Sequence, residues 1–274
     1  MDASTNRTTP RSCSVALCLL LAWPVTGAIP ATAADNAPRV DRTSAGSSGS
    51  ASPGAVAATP EELRDVAVTR PPGRYANPLA EGVADDFPDP STIRGRDGYW
   101  YAYSTRTPLV PGGTRHNLPI IRSDDLVHWD YVGDVFGTSN WPNWLDANSS
   151  TWDPAIEYID GRYVLYFTGV DIPGFERPNK SIGVATAPTP AGPWTDSGEP
   201  LVGPRYYQRP PHNVRRHMSV IAPDGVQAAD GRRYLYYGGF NGGVWGLPVS
   251  DDGLAAAGDE VKLVGDVHLE GPYV

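Results

Sequence analysis

Asp89-Pro90-Ser91-Thr92-Ile93, followed by Asp97-Gly98-Tyr99-Trp100-Tyr101, is a pattern that this chain writes three times. The second copy reads Asp153-Pro154-Ala155-Ile156, then Asp160-Gly161-Arg162-Tyr163-Val164-Leu165-Tyr166. The third reads Ala222-Pro223-Asp224-Gly225-Val226, then Asp230-Gly231-Arg232-Arg233-Tyr234-Leu235-Tyr236. The Asp-Gly pairs stand 63 and then 70 residues apart. A period of that size, built from short strands, predicts stacked sheets around an axis, with the residues that open each repeat converging on it.

Each Asp-Gly pair suits a two-residue hairpin turn leading into an aromatic and β-branched run. The runs are Tyr99 to Ser104, Tyr163 to Phe167 and Tyr234 to Tyr237. A third strand per repeat is expected at Pro119 to Ser123, Ile182 to Thr186 and Gly243 to Pro248. A fourth is expected at Trp129 to Gly133 in the first repeat and Trp194 to Gly198 in the second, and these tryptophans repeat at a spacing that points to packing. Four strands per unit is the size of one propeller blade, and no long helical periodicity follows residue 75. The competing all-β arrangement is a sandwich with chance Asp-Gly hairpins, which does not account for several landmarks recurring in one order.

Upstream of the repeats the texture differs. Residues 1–33 read as a signal peptide: Arg7 and Arg11 precede an apolar run from Val15 to Val25, and Ala31-Thr32-Ala33 is a small-x-small cleavage site. The run is too short to span a bilayer as a helix, so export and a secreted location are expected, with no membrane partner after processing. Cys13 and Cys18 both fall inside this segment, which leaves the mature chain without disulfides. Residues 34–74 are rich in Ala, Ser, Gly and Pro and read as a disordered linker, with one helical turn conceivable at Glu61 to Arg64. Residues 75–274 form the folded domain. The formal net charge of −9 argues against a nucleic-acid partner. No metal-ligand spacing, phosphate loop or nucleophile elbow is present, so neither a metal nor a cofactor is expected.

Carboxylates opening separate repeats suit glycoside hydrolysis with inversion. That chemistry needs two carboxyl groups roughly 6.5–9.5 Å apart, one ionised to activate a water and one protonated to release the leaving oxygen. Asp89 is the candidate base, because Pro90 disfavours a helical backbone before it and an extended residue would aim at the axis. Glu270, in Leu269-Glu270-Gly271-Pro272-Tyr273, opens a fourth unit and is the candidate acid. Trp152 and the Trp141-Pro142-Asn143-Trp144 loop offer flat rings for sugar faces. His212, Arg215, Arg216 and His217 make a small basic patch in a Pro-rich loop, more in keeping with a solvated surface than with a site.

Asp-Pro-Ser-Thr-Ile with its Asp-Gly-Tyr hairpin, Trp152-Asp153-Pro154-Ala155-Ile156 and Glu270-Gly271-Pro272 together resemble glycoside hydrolase family 43. The resemblance covers about residues 75 to 274. It implies a five-bladed β-propeller, here about three blades and the start of a fourth, that inverts configuration on arabinose- or xylose-containing plant cell-wall polysaccharides and oligosaccharides. It also implies a general base at Asp89, a general acid at Glu270 and a third carboxylate that tunes the acid. The family pattern puts this third group where Ala155 stands, so the role falls to Asp153, two residues earlier, or to Asp224 in the third repeat. A complete domain of this kind would continue beyond Val274 for another blade and a half or more, and the fragment alone is not expected to fold stably. The rival readings are a non-catalytic carbohydrate-binding propeller, an inactive fragment and a scaffold for protein contacts.

Overall fold

The computed structural model describes residues 80, 82–209, 214–265 and 269–274. The expected signal peptide and linker lie outside the described residues, as does His212. Among the described residues there is no helix.

Three four-stranded antiparallel sheets follow one another along the chain, each with its strands in sequence order. The first holds β1 (Ser91–Arg94), β2 (Trp100–Tyr103), β3 (Pro119–Ser123) and β4 (Asp130–Asp134). The second holds β5 (Thr151–Ile159), β6 (Arg162–Val170), β7 (Lys180–Ala187) and β8 (Thr195–Asp196). A hairpin, β9 (Tyr206–Arg209) and β10 (Val214–His217), then precedes the third sheet. This hairpin replaces the irregular loop expected around the basic patch, and in it Arg215 lies 3.7 Å from the centre of the Tyr206 ring. The third sheet holds β11 (Asp224–Gln227), β12 (Arg233–Gly239), β13 (Gly243–Val249) and β14 (Val261–Val264).

The turns differ from the uniform two-residue hairpin. Only Asp160-Gly161 has that form, with both residues at positive φ (47° and 83°), which matches the twist of the flanking strands. In the first sheet Gly95 N–H donates to Tyr99 O and Gly98 N–H to Gly95 O, so Arg96, Asp97 and Gly98 make a three-residue turn. Ala229, Asp230 and Gly231 repeat it in the third. In both, the glycine takes the left-handed conformation (φ 89° and 87°) that closes this longer loop.

β6 shows why the second sheet is central. Its side chains alternate between two cores, as a pleated strand requires. Leu165 and Phe167 join Tyr103, Ile120, Phe136 and Trp194 in the seam with the first sheet. Val164 and Tyr166 join Val220, Leu235 and Tyr237 in the seam with the third. Both faces are therefore dry, which is why the sequence there is a continuous apolar run rather than an alternating one. Each seam also carries a tyrosine tie. Tyr103 Oη donates to Pro190 O at 2.7 Å, and Tyr166 Oη donates to Gly253 O at 2.8 Å. The two donors are 63 residues apart, as are the two acceptors, which equals the first of the two Asp-Gly spacings.

Trp129 and Trp194 pack as their spacing implied, Trp129 half-buried against a small cluster in the first sheet and Trp194 buried in the first seam. Trp194 meets the edge of Tyr103 at 5.9 Å.

Candidate active site

The residue that opens each sequence repeat has the same unusual backbone. Asp89, Asp153 and Ala222 have φ of 51°, 48° and 51°, and each precedes a proline. Asp89 is thus left-handed rather than extended: proline on its C-terminal side penalises the right-handed helical region, and the short polar side chain of aspartate tolerates the left-handed one. These conformations also fix the register of the repeats, which makes Asp89, Asp153 and Ala222 counterparts. Ser91, Ala155 and Asp224 form the next equivalent set.

Asp153 sits in a bulge. Trp152 pairs with Thr168 and Ala155 with Tyr166, so β5 carries one extra residue against β6. A bulge re-aims a side chain, and the simple rule that residues two apart share a face does not hold between 152 and 155. The carboxyl of Asp153 is turned back to Thr168, whose hydroxyl donates to its Oδ2 at 3.0 Å, while Ala222 N–H donates to the same oxygen at 3.1 Å. Asp89 is held in a similar way: Thr105 Oγ1 donates to its Oδ2 at 2.6 Å, and that hydroxyl accepts from Asp153 N–H at 2.9 Å.

These residues line a cleft of about 1280 Å³ along the inner edges of the sheets. Asp89, Trp152, Asp153, Lys180, Asp224 and Glu270 all face it. The space exceeds the roughly 300–1,000 Å³ of a pocket for one small ligand, which leaves room for more than one sugar unit. Asp89 and Glu270 are exposed at its surface, whereas Asp153 is half-buried.

The charge of Asp89 acts on both of the other carboxyl groups. Burial, then the charge of Asp89, pushes Asp153 up to about 6, against the lowering effect of the Thr168 and Ala222 hydrogen bonds. The charge of Glu270 adds to the rise. Glu270 is also raised, by partial burial and then by Asp89, with Lys180 opposing. Asp224 is raised by burial, opposed by a hydrogen bond from Val274 N–H at 2.8 Å. It acts instead on Glu157, a half-buried carboxylate paired with Arg233 at 2.8 Å. Of the two candidates for third carboxylate, Asp153 is thus the one whose ionisation is tied to both Asp89 and Glu270.

The tryptophans divide. Trp152 lines the cleft, with Lys180 Nζ 5.8 Å from its ring centre. Trp141 and Trp144 do not line it, contrary to the expectation from their loop. Trp144 stacks on Phe167 at 5.8 Å and donates its indole N–H to Asp196 at 3.0 Å. Gly169 and Gly183 leave the space it fills: a Cβ on either would lie 2.7 or 2.6 Å from the Trp144 ring. Trp141 packs edge-on against Phe136 and bonds Asp146 O. Apolar neighbours in the first seam take up both rings.

Thr105, Thr168 and Lys180 were not singled out from the sequence. The threonines carried a readable signal, since each stands eight residues after its repeat's Asp-Gly aspartate. Lys180 carried none.

Consecutive four-stranded sheets that bring carboxylates from separate repeats into one cleft have the layout of a propeller-built glycoside hydrolase. The chain belongs to Glycosyl hydrolases family 43, which matches residues 75–274. It is 25% identical over 216 residues to the extracellular endo-α-(1→5)-L-arabinanase of Thermotoga petrophila, covering 68% of this chain and 42% of that protein. It is 32% identical over 154 residues to the non-reducing end α-L-arabinofuranosidase BoGH43B of Bacteroides ovatus, covering 55% of this chain and 26% of the relative. A putative β-xylosidase of Xylanibacter ruminicola is 26% identical over 73% of this chain and 31% of its own length. The chain thus spans less than half the length of these three relatives. Among solved structures, a β-xylosidase/α-arabinofuranosidase from a compost metagenome aligns with a TM-score of 0.51 at 21% identity, over 70% of this chain and 62% of that one. The native arabinanase Arb43A of Bacillus subtilis aligns with 0.50 at 23% identity, over 66% and 58%. These likenesses speak to the fold alone.

Proposed function

We propose that the protein is a secreted glycosidase that cleaves arabinose- or xylose-containing polysaccharide or oligosaccharide with inversion, on a five-bladed propeller to which residues 75–274 contribute three blades and the opening of a fourth. One observation carries this reading: Asp89, Asp153 and Glu270, from three different repeats, face a single cleft, where the charge of Asp89 favours the protonated form of the other two.

Asp89 takes a proton from a water, whose oxygen attacks the anomeric carbon. The bond from that carbon to the leaving oxygen breaks, and Glu270 gives its proton to this oxygen. Glu270 is suited to the acid role because burial and Asp89 both favour its protonated form. Asp153 sets the charge felt by Glu270. Trp152 offers a flat face to a sugar ring, and Lys180 faces the same cleft.

The test is release of sugar from arabinan and xylan, with NMR reading the anomer first formed. Inverted product, lost in both Asp89→Asn and Glu270→Gln with unchanged circular dichroism, is the expected result. Retained turnover in both variants overturns the assignment. Oligosaccharide binding without any product points instead to a sugar-binding propeller.

A further inference from the structure

We propose that Thr105 and Thr168 are positioning residues for the two aspartates, each hydroxyl aiming the carboxyl that opens its own repeat while the main chain of the next sheet aims the hydroxyl. The proposal rests on the glycosidase reading for its catalytic consequence and on geometry for the rest. Thr105 lies just beyond β2 and Thr168 lies in β6, 63 residues on. Both make the same pair of bonds. Thr105 gives its proton to Asp89 Oδ2 and accepts Asp153 N–H. Thr168 gives its proton to Asp153 Oδ2 and accepts Ala222 N–H, the latter at 3.1 Å. An amide N–H can only donate, so it occupies a lone pair of the hydroxyl and leaves the hydroxyl proton for the carboxylate. The direction of each bond is therefore set by the neighbouring sheet. Asp89 is left with Oδ1, which has no hydrogen-bond partner among the described residues, for a water.

The third repeat separates this role from mere scaffolding. It keeps the left-handed residue and the proline, at Ala222 and Pro223, but has no carboxyl there. The position of Thr105 and Thr168 is Gly238, which has no hydroxyl, and its N–H donates to Ile221 O. If the threonine served the sheet architecture, the third sheet would need it as well. It is present where an aspartate must be aimed and absent where none is.

Valine keeps the shape of threonine and removes the hydroxyl, and serine restores the hydroxyl. In Thr168→Val, 13C NMR of labelled aspartate should show Asp153 titrating at higher pH than in the parent protein, since a donor to its ionised form is gone. Thr168→Ser should return it. The charged groups facing Asp153 are Asp89 and Glu270, and both are unchanged in these variants. In Thr105→Val the amide of Asp153 should exchange its hydrogen faster, and Thr105→Ser should slow it again. These readouts need no turnover, so they decide the relay even if arabinan and xylan are not cleaved, a result that would count against the glycosidase reading alone. With turnover, each valine variant should lose about 10- to 100-fold in kcat with KM within about twofold, and serine should recover most of it. Parental titration and exchange in the valine variants, or no recovery with serine in a folded protein, overturn the proposal. If Thr168→Val does not fold, the half-buried Thr105 pair decides it.

Discussion

The amide of Ala222 donates to Oδ2 of Asp153 at 3.1 Å, across the seam between the second and third sheets. The two residues are counterparts in the repeat, with φ of 51° and 48° and a proline after each. The third repeat thus contributes to the cleft a backbone donor where the first two contribute an acid. One carboxylate is thereby held half-buried between two others, and its ionisation becomes sensitive to both.

Asp153 should give the protein a stability that declines as pH rises. Its folded-state value is about 6, above the roughly 3.9 of an unfolded aspartate, so the native state holds the proton more tightly. Between about pH 4 and 6 the native form therefore binds more protons than the unfolded one. Stability falls through that window and levels off above it. Asp153→Asn should remove this slope, since asparagine is neutral throughout and tolerates the left-handed backbone. Urea midpoints of both proteins from pH 4 to 7.5 test it. Parallel curves would contradict the assignment.

Lys180→Gln should extend activity to higher pH. The lysine charge lowers the pKa of Glu270 against the raising effects of burial and Asp89. Removing it raises that pKa, so the acid stays protonated further up the scale. The basic limb of the kcat/KM profile should move upward. A downward shift would mean that Glu270 is not the proton donor on that limb.

Trp144→Ala and Trp152→Ala should fail in different ways. The first empties a packed site against Phe167, Gly169 and Gly183 and should cost about 3 kcal/mol of stability, the lower end for such truncations because the ring is only half-buried. KM should barely change in the protein that remains folded. The second should leave stability nearly intact and raise KM several-fold, on the order of 1 kcal/mol for a lost ring face. Denaturation curves beside initial rates separate the two. Equal KM effects would put Trp144 back in the substrate path.

Tyr103→Phe and Tyr166→Phe should each cost about 1–2 kcal/mol, the loss of one hydrogen bond with a buried carbonyl left unpaired. They act on separate seams, so the double variant should show the sum to within about 0.5 kcal/mol. Strong non-additivity in denaturant midpoints would mean that the two seams are not independent.

Much of this was legible in the sequence because repetition reports geometry. The Asp-Gly spacing and the aromatic runs located the second strand of every sheet, and Pro119–Ser123 was placed to the residue. The places of Asp89 and Glu270 in the repeat point to them, Asp153 and Asp224 come in through the family resemblance, and all four line the cleft. What escaped was whatever depends on one residue more or less. The turns at Asp97 and Asp230 run to three residues because their neighbours pair one step further out. The bulge at Asp153 breaks the alternation used to place side chains along a strand. Trp144 looked like a loop residue, since the glycines that admit it lie 25 and 39 residues downstream. The hydroxyls of Thr105 and Thr168 are neutral and belong to no motif, so charge and motif patterns do not point to them.

The tyrosine ties impose an order of events during synthesis. Tyr103 and Tyr166 each reach an acceptor 87 residues later in the chain. On a ribosome, neither interface can be sealed until the following repeat has emerged beyond its own third strand. A sheet newly made must therefore wait with one flank wet, and the wait ends each time by the same handshake. Nascent chains in which residue 190 or 253 has not yet left the ribosome should remain open to protease at the preceding sheet, and chains in which it has left should not.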